Sequence, residues 1–567
     1  MRRGLFCLGL VLFGVGQALA DENCVAAQER PLQLMSAELK REFKALKKQK
    51  PPVYYMAYTY LKGQGVSLQV ADGGVVDRAI YPVDDFDVQI RVGSPALDNT
   101  RKLKNGSNDY SSVSGIVPVI EGDGKAFTTA IWRLTQRAVK RVQQDYGRVQ
   151  ADVQTASRRM DDSPDFVLPP QASFCRTQQA PSVDLDQVER LLVKVSRLVQ
   201  ESPVVLNADF DFTGSFGHRY FADSQGTRLK TPWIRFRLLY SLMGKTADGL
   251  EISRTNTYDM LDGKDLPSEE QLTADIRQSL TELELLSRAP LADPLTVPTI
   301  LKNRAMGVFV HEVLGHRMEG HRQKEDSFGR TFTSKIGQQV TAPFISIVDD
   351  ATLPSFKGIP LRGFYEYDDE GVKVRPVTLV ENGVLKEFLM SSSPIKGFPS
   401  SNGHGRREIA QRAVARMGNT RVIAGETVPY ETLEKMLVEE INRQGKPYGL
   451  IVEDLSGGFT MTDTGLPQVF KLEPKLVYRV YPDGKKEIIR GADLVGTPLV
   501  SFAQILAASD DYAVFNGSCG AESGWVPVSA IAPSVLFKTL EFEHTAKSAV
   551  KPPVLPPPAA TGKGDKK

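Results

Sequence analysis

VTLVENGVLKEFLM, residues 377–390, sets two β-prone runs on either side of Asn382-Gly383. Asn-Gly suits the two positive-φ positions of a tight hairpin turn, so the stretch reads as an antiparallel hairpin. The pattern recurs downstream, where Pro482-Asp483-Gly484 separates KLVYRVY from KKEIIRG. YETLEKMLVEEINRQ, between the two, reads as a short helix. Residues 340–545 therefore read as mainly antiparallel β.

Upstream the character is mixed. MSAELKREFKALKKQK (35–50) reads as a helix stopped by Pro51-Pro52. VYYMAYTYL, VSLQVAD and FDVQIRVG follow as strands. Residues 126–157 place Ile131, Leu134, Ala138 and Val142 along one face of a long helix. A second helix is expected over 184–201 and a third over roughly 268–288, with the strands VVLNADFDF, RFRLLYSLM and LEISRTNTYDM between them. The fold class is α+β, with an N-terminal α+β domain over 21–290 and a β-rich domain over 291–546. Residues 547–567, rich in Pro and Lys, read as a disordered tail.

A chain of 567 residues is long for one core. With 41% hydrophobic and 24% charged residues it is globular rather than disordered or membrane-embedded. Residues 1–20 carry two arginines, an apolar run from Leu5 to Val15 and Ala18-Leu19-Ala20, the features of a signal peptide cut after Ala20. The mature protein is expected in the periplasm or cell envelope, with no transmembrane span. Arg2 and Arg3 leave with the signal, so Lys plus Arg falls from 70 to 68 and equals Asp plus Glu. That balance gives no reason to expect nucleic acid as a partner. Cys24, Cys175 and Cys519 remain. In an oxidising compartment we expect Cys24 to pair with Cys175 and Cys519 to stay free.

HEVLGHRMEGHRQKE (311–325) holds the candidate chemistry. On an ideal helix His311 and His316, five apart, diverge by roughly 140°. A π-bulge, eased by Gly315, would bring them to one face. Two imidazoles and a third ligand hold zinc with a position left for water, whose pKa the metal lowers. Glu312, beside the first histidine, is placed to take that water's proton. Two third ligands compete: His321, which extends the histidine run, and the distant Cys519 in FNGSCGAESGW, a strong donor once deprotonated. Glu319 is a candidate to orient a ligand. Arg406 and Arg407 are candidates for a peptide carboxylate.

HEVLGHRMEG, SIVDD (346–350), GHGRRE (403–408), RMGNT (416–420), the Gly-Gly of LSGGF (455–459) and the Cys-Gly of NGSCG (516–520) occur in an order that resembles the TldD/PmbA family of zinc metallopeptidases, in its metal-bearing branch. The resemblance covers about 300–540. It implies His311, His316 and Cys519 as Zn²⁺ ligands, Glu312 as general base, and a barrel-like C-terminal metal domain. It also implies cleavage of short or unfolded peptides, a homodimer or a heterodimer with a related chain, and a place for His404 in a loop facing the site. Two features depart from the family: position 321, often Asp, is His here, and the signal peptide implies export. The alternative is a non-enzymatic, zinc-stabilised envelope subunit that binds peptide or a partner chain.

Overall fold

A computed structural model describes residues 24–104, 111–155, 161–324, 331–460 and 469–545. The expected signal peptide and the Pro/Lys-rich tail lie outside the described residues.

Two long hairpins build the N-terminal sheet. Val53–Ala71 runs antiparallel to Gly74–Ser94, turning at Asp72-Gly73 with φ of 50° and 82°. Val205–Asp223 and Arg228–Lys245 form the second hairpin, and the strand Val53–Ala71 joins the two. Glu251–Met260 pairs with the outer strand of the second hairpin. Helices Arg30–Leu46 and Lys125–Thr155 pack Leu32, Met35, Ile131 and Leu134 on Tyr58, Tyr60 and Phe86. Helices Leu185–Ser196 and Glu269–Arg288 pack Leu192 and Leu283 on Phe210, Phe212 and Leu238. The first helix begins at Arg30 rather than 35, because Pro31 suits a first helical turn. The stretches VYYMAYTYL and VSLQVAD are one continuous strand. Cys24 and Cys175 form a disulfide, and Cys519 is free and buried.

The C-terminal region holds a closed five-strand barrel. Leu295–Leu301 lies parallel to Gly449–Thr460 and antiparallel to Val535–His544. Ala492–Gly496 and Phe470–Val480 complete the ring back to Gly449–Thr460. Beside the barrel is a six-stranded sheet, in which Val377–Glu381, Ile345–Asp349 and Asn419–Ala424 lead to the hairpin of Gly524–Ala532 and Ala513–Ala521. The Asn-Gly hairpin opens this sheet: Glu381 faces Val384, and Asn382 and Gly383 take φ of 48° and 80°. The Pro-Asp-Gly turn sets Val480 opposite Lys486. Helix Tyr430–Gln444 seals the barrel with Leu433, Leu437 and Ile441 on Ile300, Ile451 and Leu536.

Candidate metal centre

The barrel and the six-stranded sheet enclose one helix, Asn303–Val313. Asn303 anchors its start, with its amide N–H donating to Ser534 Oγ at 3.1 Å and its side chain to the Asp511 carbonyl at 2.7 Å. Phe309 packs against Phe470, Phe502 and Phe537 at 5.6, 5.3 and 5.3 Å between ring centres. Full burial of such a ring contributes about 1.5–3 kcal/mol. The helix direction is thus fixed from the barrel side, and His311 falls in its last turn.

The five-residue spacing is resolved without a π-bulge. The helix ends at Val313, and Gly315–Met318 forms a 3₁₀ turn that carries His316 back toward His311. The Arg317 and Met318 amides both donate to the Leu314 carbonyl, at 2.8 and 3.1 Å. Gly315 sits against Met417: a Cβ there would stand 2.0 Å from Met417 Sδ, so that side chain would have to shift. The two imidazoles sit with ring centres 5.1 Å apart and planes at 81°.

Cys519 arrives from the strand Ala513–Ala521. Its sulfur lies 3.1 Å from His311 Nε2 and 3.4 Å from His316 Nε2, and the three donor atoms fall within 4.8 Å of one another. Tetrahedral zinc, with bonds of about 2.0–2.3 Å, holds neighbouring donors about 3.5 Å apart. The residues present therefore fit a zinc ion in spacing and in chemistry. Burial alone would raise the Cys519 thiol; the His316 and His311 rings reverse this and hold it well below its ordinary value. Burial works against charge on His316, but Cys519 and Glu319 raise its pKa well above the ordinary value. A thiolate is the form in which cysteine binds metal.

A layer of ion pairs surrounds the donors. Glu319 Oε1 lies 3.3 Å from His316 Nδ1, while Arg322 and Arg416 approach the same carboxylate at 2.7 and 3.4 Å. Burial would raise Glu319, yet His316 and Arg322 hold it at about 2. Arg416, fully buried, also donates to the Cys519 carbonyl at 2.6 Å and to Ser523 Oγ at 2.9 Å, tying the cysteine strand to Glu319. The Glu312 carboxylate is 4.0 Å from His316 Nε2, and burial raises its pKa.

Residues 294–544 match the family model described as the PmbA/TldA metallopeptidase C-terminal domain. This C-terminal region is thus of the TldD/PmbA type. A metalloprotease of Methanocaldococcus jannaschii is 24% identical over 347 residues, 61% of this chain and 72% of that protein. A zinc metalloprotease TldD homolog of Saccharolobus solfataricus is 28% identical over 246 residues, 43% of this chain and 51% of that protein. The solved structure of TldE from Thermococcus kodakarensis shares the fold, with a TM-score of 0.60 at 15% identity, covering 90% of this chain and 100% of that one.

Around this TldD/PmbA-type domain's donors the remaining candidates are dispersed. His321 Nε2 lies 2.5 Å from Glu522 Oε1, outside the donor cluster. His404 is fully buried, with Nδ1 3.0 Å from Asn402 Oδ1 and Nε2 3.2 Å from Asp349 Oδ1. Arg406 donates to the carbonyls of Met417 and Pro527 and stacks 4.7 Å from the Tyr365 ring centre. Arg407 pairs with Asp87 at 2.8 Å. Both arginines brace buried loops, so the expectation that they wait for a peptide carboxylate finds no support in their contacts. Arg416 and Glu522 were missed; RMGNT and the residues just after Cys519 were their only sequence signal. Cavities of about 620 and 660 Å³ lie elsewhere, the first lined by residues such as Tyr240, Lys302 and Glu453, and neither touches the three donors. Donor geometry, not cavity size, marks the site.

Proposed function

We propose that the chain is a zinc-dependent peptidase acting on short or unfolded peptides, exported by its signal peptide to the periplasm or cell envelope. The observation that carries this reading is the convergence of His311, His316 and Cys519, from a helix end, a turn and a distant strand, with Glu312 alongside. His311, His316 and Cys519 would hold the ion. Zinc, when bound, supplies a Lewis acid that polarises the scissile carbonyl.

The rest is done by the chain's own groups. Glu312 takes the proton of the attacking water and passes it to the leaving amine. Its raised pKa suits that work, because a base is most effective when its pKa approaches the working pH. Glu319, 3.3 Å from His316 Nδ1, orients the ring so that Nε2 faces the other donors. Among the described residues no helix is long and apolar enough to cross a membrane. A second copy or a related family chain is the expected partner.

The test is zinc per chain and peptide turnover in wild type, Cys519→Ser and Glu312→Gln. About one zinc in wild type, lost in Cys519→Ser, with turnover lost in Glu312→Gln, supports the reading. Zinc unchanged in Cys519→Ser would remove the cysteine from the ligand set. Zinc bound without turnover would favour a zinc-stabilised binding subunit instead.

A further inference from the structure

The cavity of about 620 Å³ lies where the helix Glu269–Arg288 and the strand Glu251–Met260 face the barrel strands Gly449–Thr460 and Phe470–Val480. The start of the helix Asn303–Val313, whose last turn carries His311, forms part of its wall. Pockets for small molecules run to about 300–1,000 Å³ and favour junctions between domains, so size and place both suit a ligand.

Most charges on the wall are paired with each other. Arg254 meets Glu282 at 2.7 Å and Asp454 at 3.1 Å, and Lys486 meets Glu434 at 2.6 Å. Lys302 lies 3.5 Å from Glu453 and 3.9 Å from the Tyr430 ring centre. Two charges are left over. Among the described residues the Arg304 side chain has no hydrogen bond or ion pair, and its Nε is buried. Asp275 accepts from the Tyr258 hydroxyl with one oxygen and meets no cation among the described residues. Arg304 and Asp275 line the same cavity without pairing with each other. A buried charged donor without an acceptor is costly, and an acceptor brought by a ligand removes that penalty. The wall holds five carboxylates against four cations, so a plain anion would add to an excess of negative charge, whereas a ligand with one group of each sign does not.

We propose that this cavity binds a zwitterion of amino-acid or short-peptide size, its carboxylate on Arg304 and its ammonium on Asp275. A guanidinium presents paired donors that match a carboxylate. Tyr240 and Tyr478 supply aromatic surface for the ligand's side chain. None of the three metal donors lines the cavity, so the assignment holds whether or not the metal centre cleaves peptides.

The experiment is calorimetric titration of the full mature chain, loaded with zinc, with phenylalanine, N-acetylphenylalanine and phenylalanine amide. The dipeptide Ala-Phe is titrated into Glu312→Gln. Phenylalanine should bind, and removing either of its charges should raise Kd about tenfold. Arg304→Gln should bind phenylalanine and its amide equally. Asp275→Asn should bind phenylalanine and its acetylated form equally. Tighter binding of phenylalanine than of the dipeptide assigns a free amino acid, and the reverse assigns a short peptide. No binding at millimolar probe overturns the assignment, as does a Kd unmoved by acetylation or by amidation. Those comparisons are made on the wild-type chain and need no variant to fold. Binding unchanged in both variants, when their melting matches wild type, puts the probe elsewhere and overturns the assignment too.

Discussion

The His311–His316 pair and His404 are all buried in the C-terminal region, yet their ring nitrogens are used differently. His404 has an acceptor at each nitrogen, Asn402 on one side and Asp349 on the other, and Asp349 is itself satisfied by Thr420 Oγ1 and the Gly418 amide. His311 and His316 instead turn Nε2 toward one another's side of a shared thiol. A buried histidine with both nitrogens satisfied by protein is a structural brace. Histidines that aim nitrogens at one point, beside a sulfur, are a candidate ligand set. The rule that buried polar groups find partners separates the two cases only when the partners are examined atom by atom.

The largest expected effect comes from removing the base and leaving the donors intact. Glu312→Gln should lower peptide turnover by about 10²–10⁴-fold with zinc content unchanged. Turnover equal to wild type would take Glu312 out of the mechanism. The opposite contrast comes from His404→Ala, which takes away one of the partners of Asp349 and leaves a buried gap. A loss of about 1–3 kcal/mol in denaturant unfolding is expected, without loss of zinc. Zinc loss from a folded His404→Ala protein would break the distinction drawn here. Glu319→Gln should weaken zinc about 10–100-fold in chelator competition, because it takes away the group that orients His316.

Acid titration gives a smaller effect with a definite sign. Burial alone would raise Asp349; His404, Thr420 and the Gly418 amide hold it below its ordinary 3.8. A carboxylate with a depressed folded pKa contributes stability above its unfolded pKa, lost as pH falls through the folded value. Stability should therefore drop below about pH 3.8 in part through this group, and the Asp349→Asn protein should lack that component. The smallest effect belongs to an exposed pair. Arg375→Gln, which breaks the contact with Glu387, should change stability by less than about 1 kcal/mol.

The hairpins were legible because their turns have local causes. Asn382-Gly383 and Pro482-Asp483-Gly484 impose φ values that few other residues accept, and the structure has a hairpin at each. The long helices were legible through apolar periodicity. The first barrel strand, Leu295–Leu301, carries little local signal, because Pro298 interrupts a short apolar run and both of its neighbours are far along the chain. The spacing of His311 and His316 announced an irregularity, but its form, a helix end followed by a 3₁₀ turn, is fixed where that turn packs against distant chain such as Met417. The Glu319, Arg322, Arg416 and Glu522 network was illegible for the same reason: its members meet only after the sheet and barrel have formed.

The barrel has a consequence for how the protein is made. Its first strand, Leu295–Leu301, is flanked by Gly449–Thr460 and Val535–His544, so the ring closes only when late-synthesised chain returns to early chain. Cys519 follows His311 by 208 residues. During translation the histidines emerge long before the sulfur that joins them, and closure over such a separation is slow compared with local folding. A fragment released before residue 519 carries Glu312 and both imidazoles but lacks the sulfur, so a ribosome that stalls upstream leaves the candidate donor set incomplete.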